Sequence, residues 1–367
     1  MSARFLTVVL ERAFNMRDGF GREIDYMRIS VIDSCNLNCY YCNPCDNNEH
    51  CHALNILSVK EVLCIVRAAT RLGIKHFRLT GGEPLLHPQL DEMVLQIKKI
   101  PGVSSVSLTT NAVLLAQHAK WLKEAGIDSI NVSLDTIDAS EYERITKKPL
   151  LEEVKHGINA AIECGIRVKI NVVLTPQTDV VALTRYVAKK GTDIRFIEMM
   201  PVGEGHTNGV EPYEKVIGAL LEVYGTPCHI DTENREEINS GYNNSDNGPA
   251  EYYSFHGLNI RVGLIQAIHG KFCDTCNRIR VTADGRLMPC LGSSVTMDLV
   301  PDSCEFTDDL EKDFVIVQAL KAAIKAKPGC HNFNDNAVTY TKTTETKTTE
   351  IEAAEVNAAR NMSRIGG

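Results

Sequence analysis

No apolar run in the 367 residues approaches the roughly 18 needed to cross a bilayer, so a membrane-spanning helix is excluded. Positive charge is also short: 39 Lys and Arg against 47 Asp and Glu leave a net charge of −8. A general nucleic-acid binder would carry the opposite sign. No secretory leader is expected either. The best N-terminal candidate, FLTVVL at 5–10, is too short for its hydrophobic region and is interrupted by Glu11. Arg4 and Arg12 leave room for an amphipathic mitochondrial presequence, but the reading is a cytoplasmic chain. Thirteen cysteines in that reducing compartment are not a disulfide set, and clustered ones point to metal.

The body of the chain is ordinary for a globular protein, with 44% hydrophobic and 23% charged residues. Its length suits one barrel plus a smaller domain. From about residue 26 to 200, strand-like and helix-like stretches alternate. Strands are expected at 26–33, 75–80, 103–110, 128–135, 166–174 and 193–200. Helical patterns fall between them, at 57–73, 114–126, 150–165 and 179–191, most ending in Gly. Six βα units in series predict parallel strands with helices outside.

The strands carry one apolar and one polar row. Arg28 and Ser30 lie in the polar row of the first, followed by His76, Arg78 and Thr80, then Ser105, Ser107 and Thr109. Asn131, Ser133 and Asp135 continue it, then Lys169 and Asn171. With helices covering the apolar rows, the polar rows must share an interior. A closed barrel packs that interior with Val, Ile and Leu. The expectation is therefore an α/β fold, an open, partial (β/α)6 TIM-like barrel holding a polar ligand. After residue 205 the pattern breaks into a helix (211–224), a polar loop (239–249), a strand pair (250–266) and a helix near 308–327. These read as a smaller C-terminal α+β domain. The tandem TKTTE repeat at 341–350 reads, with its surroundings at 331–358, as low-complexity and disordered, followed by a tail at 359–367. The corresponding units are 18–205, 206–330, 331–358 and 359–367.

Two cysteine groups stand out. Cys35, Cys39 and Cys42 form C-x3-C-x2-C in the loop after the first strand, the end of a βα barrel where chemistry is placed. Three thiolates suit an iron–sulfur cluster with one open iron. A zinc site or a closed cluster would need a fourth ligand, which Cys45, His50 or Cys51 could supply. The second group, Cys273, Cys276 and Cys290, is followed or spanned by Arg278 and Arg280, and a zinc knuckle completed by His269 or Cys304 would fit its spacing. Paired arginines beside thiolates make an anion receptor. With Arg28, Arg78, Lys169 and Arg195 also able to face the interior, a triphosphate is the expected ligand.

The C-x3-C-x2-C spacing with Tyr41 before its last cysteine, and TGGEP at 80–84, resemble the radical S-adenosylmethionine (SAM) enzymes. From about residue 18 the chain is similar to the GTP 3′,8-cyclases of molybdenum cofactor biosynthesis. The pieces are DGFGREIDYMRISV, FRLTGGEPLL, LTTN, INVSLD, VKINVV, RFIEMM, CDTCNRIRVTADGRLMPCL and MSRIGG. The resemblance implies two 4Fe–4S clusters with SAM as cofactor, on Cys35, Cys39 and Cys42 and on Cys273, Cys276 and Cys290. It makes Cys45 no ligand. The first cluster would cleave SAM and the second would bind the guanine of GTP. The resulting radical takes hydrogen from C3′ of the ribose, and the carbon radical attacks C8. It further implies that Arg28, Arg78, Thr109, Lys169, Arg278 and Arg280 contact GTP. Tyr41, Gly82, Glu83, Ser133 and Met200 would contact SAM, and Arg195, Gly366 and Gly367 would reach the reacting centre. The implied partners are GTP, an external one-electron reductant and cyclic pyranopterin monophosphate synthase, with a homodimer compatible with all of them. Asn43 departs from the family's usual Met, Ala112 from its Gly, and the TKTTE stretch is an insertion. A radical SAM peptide-modifying enzyme with an auxiliary cluster is the alternative.

Removing Gly366 and Gly367 is expected to leave the melting temperature, both clusters and SAM binding unchanged while sharply lowering product formation. Equal product formation by truncated and full-length protein would make the tail a mere terminus.

Overall fold

The computed structural model describes residues 16–42, 55–201, 213–230, 248–293, 295–299, 309–331 and 333. Cys45, Gly366 and Gly367 lie outside these, as do Asn43, His50, Cys51, Cys304 and the TKTTE repeat.

The six expected strands form, each somewhat shorter than its sequence pattern: β1 (Tyr26–Ser30), β2 (His76–Thr80), β3 (Ser105–Thr110), β4 (Ser129–Ser133), β5 (Arg167–Val173) and β6 (Asp193–Ile197). Each pairs in parallel with the next. Helices α1 (Val59–Thr70), α2 (Leu90–Lys98), α3 (Leu115–Glu124), α4 (Ala139–Thr146), α5 (Leu151–Glu163) and α6 (Val180–Lys189) make the returns. Of these, α2 and α4 were not singled out in the sequence. Their signals are present: Leu90, Met93, Val94 and Ile97 are buried at helical spacing, and Asp138 caps α4 by accepting from the Glu141 amide at 2.8 Å. Helix α1 starts in a reciprocal box, the Glu61 amide donating to Ser58 Oγ (3.3 Å) and the Ser58 amide to Glu61 Oε2 (2.8 Å).

The apolar rows build the core. Met27, Ile29, Phe77, Leu79, Val106, Leu108, Ile130 and Val132 are each fully buried against the helices. The opposite rows carry the polar side chains, as the alternation predicts.

Segment 206–330, expected as a smaller domain, adds its strands to this same sheet. It supplies α7 (Glu214–Tyr224), β7 (Cys228–His229), β8 (Glu251–Ser254), β9 (Val262–Ile265), β10 (Arg278–Val281), β11 (Arg286–Met288), β12 (Met297–Asp298) and α8 (Asp309–Lys325). Strand β9 pairs in parallel with β6, and β10 pairs in parallel with β1. The order is β12-β11-β10-β1-β2-β3-β4-β5-β6-β9-β8-β7, so eight parallel strands sit between antiparallel edges and the sheet stays open.

Backbone pairing between β1 and β2 runs on past both strands. The Val31 amide donates to the Thr80 carbonyl (2.9 Å), Gly82 to Ile32 (2.7 Å) and Glu83 to Ser34 (2.8 Å). This zipper holds the start of the first cysteine loop against the TGGEP turn. It requires glycine, because a Cβ at Gly82 would lie 2.2 Å from the Ser34 carbonyl oxygen. Ala112, by contrast, sits in the left-handed region with φ 64°, which accounts for the glycine the related motif carries there.

Gly82→Ala is therefore expected to destabilise the iron-free protein by about 1–3 kcal/mol in urea denaturation. A variant as stable as the parent would show that the zipper yields without cost.

Candidate active site

A cavity of about 300 Å³ occupies the polar side of the sheet. Its wall includes both cysteine triplets: Cys35, Cys39 and Cys42, and Cys273, Cys276 and Cys290. They lie at opposite ends. Cys35 follows the C-terminal end of β1, whereas Cys276 precedes the N-terminal end of β10, which runs parallel to β1 with Tyr26 opposite Arg278. The intervening strand alone is roughly 13 Å long.

The first loop is pinned by local bonds. The Asn38 and Tyr40 amides donate to Thr146 (3.0 Å) and Ile145 (3.1 Å) at the end of α4, and the Cys42 amide donates to the Cys39 carbonyl (2.9 Å). Burial pushes the Cys35 thiol up to about 11 and Cys39 well above its ordinary value. Metal binding there must therefore displace protons. Tyr41 donates to Asp135 Oδ2 at 2.5 Å, and Asp135 Oδ1 accepts from the Val173 amide at 2.8 Å. The second loop repeats the turn, the Cys276 amide donating to Cys273 at 3.1 Å. His269, a sequence candidate for a fourth ligand, is held at 2.8 Å by Glu198. Cys330 stands near enough to Cys273 to raise its thiol further. Among the described residues no group of three or more His, Cys, Asp or Glu is drawn together tightly enough for a single metal ion, as a structural zinc would require.

Between the triplets runs a cationic row. Register places Arg280, Arg28 and Arg78 side by side on β10, β1 and β2. Like charges directly opposite repel. Burial, then the Arg280 charge, lowers the Arg28 guanidinium well below its ordinary value, and burial followed by Arg278 brings Arg280 to about 10. Arg28 Nε is buried with no hydrogen-bond partner, as are Arg195 Nη2 and Asn131 Oδ1. Tyr26 accepts from Arg78 Nε, and the Arg78 and Arg278 guanidiniums lie 5.9 and 5.8 Å from its ring centroid. Burial alone would raise the Tyr26 phenol, but Arg78 and Arg28 outweigh it and bring it to about 8. Arg195 Nε donates to Asn171 Oδ1 at 2.9 Å, and its stem passes Gly263, where a Cβ would meet it at 2.8 Å.

Orphaned guanidinium donors beside two sets of three thiols fit an anionic ligand held between two open clusters. Of the sequence candidates, Arg28, Arg78, Thr109, Arg278 and Arg280 line this cavity, as do Tyr41, Gly82, Ser133, Met200 and Arg195. Two do not. Glu83 is buried behind the wall, its carboxylate accepting from Thr110 Oγ1 (2.7 Å) and the Leu85 (3.0 Å) and Asn111 (2.7 Å) amides. Lys169 is only 2% exposed, one strand position from Asn131 and Asp193. Tyr26, Asp135, Asn171 and Lys327 are wall residues that were not assigned. The first three share the polar strand parity, which could have found them; Lys327 follows α8 and has no such signal.

Residues 29–182 match the Radical SAM superfamily model and 192–333 the Molybdenum Cofactor Synthesis C model. The chain is 36% identical over 322 residues to a GTP 3′,8-cyclase of Clostridium perfringens, covering 87% of this chain and 95% of that one. It is 35% identical over 325 residues to a GTP 3′,8-cyclase of Petrotoga mobilis, covering 88% and 96%. The chain belongs to the GTP 3′,8-cyclase family. The fold has wider relatives. Streptococcus suis SuiB bound to S-adenosylmethionine superposes with a TM-score of 0.53 at 14% identity, covering 90% of this chain and 70% of that one. Native anSMEcpe with bound AdoMet gives 0.50 at 15%, covering 92% and 99%. Membership in this cyclase family brings an iron–sulfur cluster and SAM, which suit the first triplet and the wall beside it. Among the described residues no helix is long and apolar enough to cross a membrane.

Arg28→Met should make the ligand-free protein more stable by about 1–2 kcal/mol, because it removes a half-buried cation that lies between two other guanidiniums without a carboxylate. Chemical denaturation without nucleotide reads this, and a loss of stability would show that the row is neutralised within the protein.

Proposed function

We propose that the chain is a radical SAM lyase converting GTP to (8S)-3′,8-cyclo-7,8-dihydroguanosine 5′-triphosphate, the first step of molybdenum cofactor biosynthesis. Family membership supports the reaction, and one observation carries the site assignment: two cysteine triplets face each other across a buried cationic row. When bound, the cluster on Cys35, Cys39 and Cys42 with SAM supplies a 5′-deoxyadenosyl radical, and a cluster on Cys273, Cys276 and Cys290 supplies an open iron for guanine.

The protein's own residues then do the positioning. Arg28, Arg78, Arg278 and Arg280 neutralise the triphosphate with charge-assisted hydrogen bonds, one of which the buried, unpaired Nε of Arg28 is free to donate. Thr109 lies 3.5 Å from Arg78 Nη1 and orients that fork. Lys169 acts from behind the wall through its charge. Tyr41, Gly82, Ser133 and Met200 shape the SAM end, where Asp135 fixes Tyr41. Glu83 holds the TGGEP turn and the Asn111 amide in place. Arg195, with an unpaired buried N–H, is assigned to the reacting centre, and the same role is assigned to Gly366 and Gly367, which lie outside the described residues. The polyanion receptor favours this substrate over the peptide of the alternative reading. The units are a barrel at 18–205 and an auxiliary-cluster domain at 206–330. An external one-electron reductant feeds the reaction, and cyclic pyranopterin monophosphate synthase takes its product.

Anaerobic reconstitution is expected to give about eight irons per chain. Cys35→Ser, Cys39→Ser or Cys42→Ser should abolish SAM cleavage. Cys290→Ser should retain slow, unproductive cleavage while losing GTP binding and cyclisation. Stoichiometric zinc with about four irons, or normal cyclisation by Cys290→Ser, would defeat the assignment of the second triplet.

A further inference from the structure

A buried ammonium stands at the second triplet that no step above uses. Lys327, 3% exposed, donates from Nζ to the Arg278 carbonyl at 2.8 Å and to the Pro289 carbonyl at 3.0 Å. Its remaining hydrogen bond goes to the Cys276 sulfur. Among the described residues it has no carboxylate partner. Isolated buried ammonium groups are costly, so such a lysine persists where an anion compensates it. Among the described residues the group beside it that can carry negative charge is the Cys276 thiol.

Its two carbonyl partners are also informative. Arg278 follows Cys276 by two residues and Pro289 immediately precedes Cys290, so one side chain bridges the two segments that carry the triplet. The rest of the Lys327–His331 loop faces the third cysteine. The His331 amide hydrogen-bonds the Cys273 sulfur, and His331 Nε2 sits 2.7 Å from the Ala267 carbonyl. Arg22 clamps the loop, donating to the carbonyls of Cys273 (2.6 Å), Pro328 (2.6 Å) and Gly329 (3.0 Å), with Asp18 at 2.5 Å holding its other edge.

We infer that Lys327 is a positioning residue for the second cluster: it balances the cluster's negative charge, hydrogen-bonds a ligand sulfur and sets the separation of the Cys276 and Cys290 segments. This rests on the second-cluster reading above. A fixed cation and a hydrogen bond to sulfur both favour the reduced, more negative state, and so raise the reduction potential.

The test uses a full-length parent with Cys35, Cys39 and Cys42 replaced by Ala, so that any reconstituted cluster sits on the second triplet. Lys327→Met and Lys327→Arg are made in it. Iron and sulfide content, the midpoint potential from an EPR-monitored titration and the rate of iron loss to a chelator are measured. Lys327→Met is expected to move the midpoint to a more negative value and to lose iron several-fold faster. Lys327→Arg, which keeps the charge, should restore most of both, and the iron-free forms should melt together. An unchanged potential and iron retention in Lys327→Met would overturn the inference alone. So would an Arg variant that behaves like Met, or a fall in melting point shared by both. A parent that takes up no iron would overturn the second-cluster reading and this inference together.

Discussion

Three arginines in one row on neighbouring parallel strands, Arg78 and Arg280 buried and Arg28 half-buried between them, are the constraint around which the rest of this structure is arranged. Their mutual repulsion and lost hydration are worth several kcal/mol against folding, and the apolar rows beneath them must outweigh that. Tyr26 is wedged among the guanidiniums as an acceptor and a π-face, and Gly263 leaves the space through which Arg195 reaches the same cavity. The site is therefore strained in charge rather than in backbone. Its relief is a polyanion.

The open barrel gives that polyanion two ends. Chemistry at the C-terminal ends of the strands is the usual barrel arrangement, and the first cysteine loop follows it, held by the backbone zipper to Gly82 and Glu83. The second triplet sits at the other end because β10 joins β1 in parallel and brings Cys273 and Cys276 in at its start. The cavity thus presents one triplet at each end of its wall and the arginine row between them.

Legibility in the sequence followed from periodicity. Residues such as Arg28, Arg78, Thr109 and Ser133 could be placed in the interior because a strand's period of two assigns each side chain to a face. The cysteine spacings grouped the thiols as the cavity wall does, since a turn such as Cys39–Cys42 is a local structure. Glu83 and Lys169 mark the limit of that argument. Both belong to motifs or faces that point inward, yet Glu83 is consumed by Thr110, Leu85 and Asn111, and Lys169 is buried beyond the wall.

The parallel βα core, the two cysteine groups, the cationic interior and, through the motifs, the family could all be read from the order of residues. It took the folded chain to reveal that β9 and β10 extend the sheet at both sides, that the two triplets share one cavity from opposite ends, and that Lys327 stands beside Cys276. The physical reason is range. Face and turn are set within a few residues of chain, whereas the Arg22 clamp on Gly329 and the pairing of Tyr26 with Arg278 join segments some 250 to 300 residues apart. No local preference encodes such partners; the packed sheet selects them.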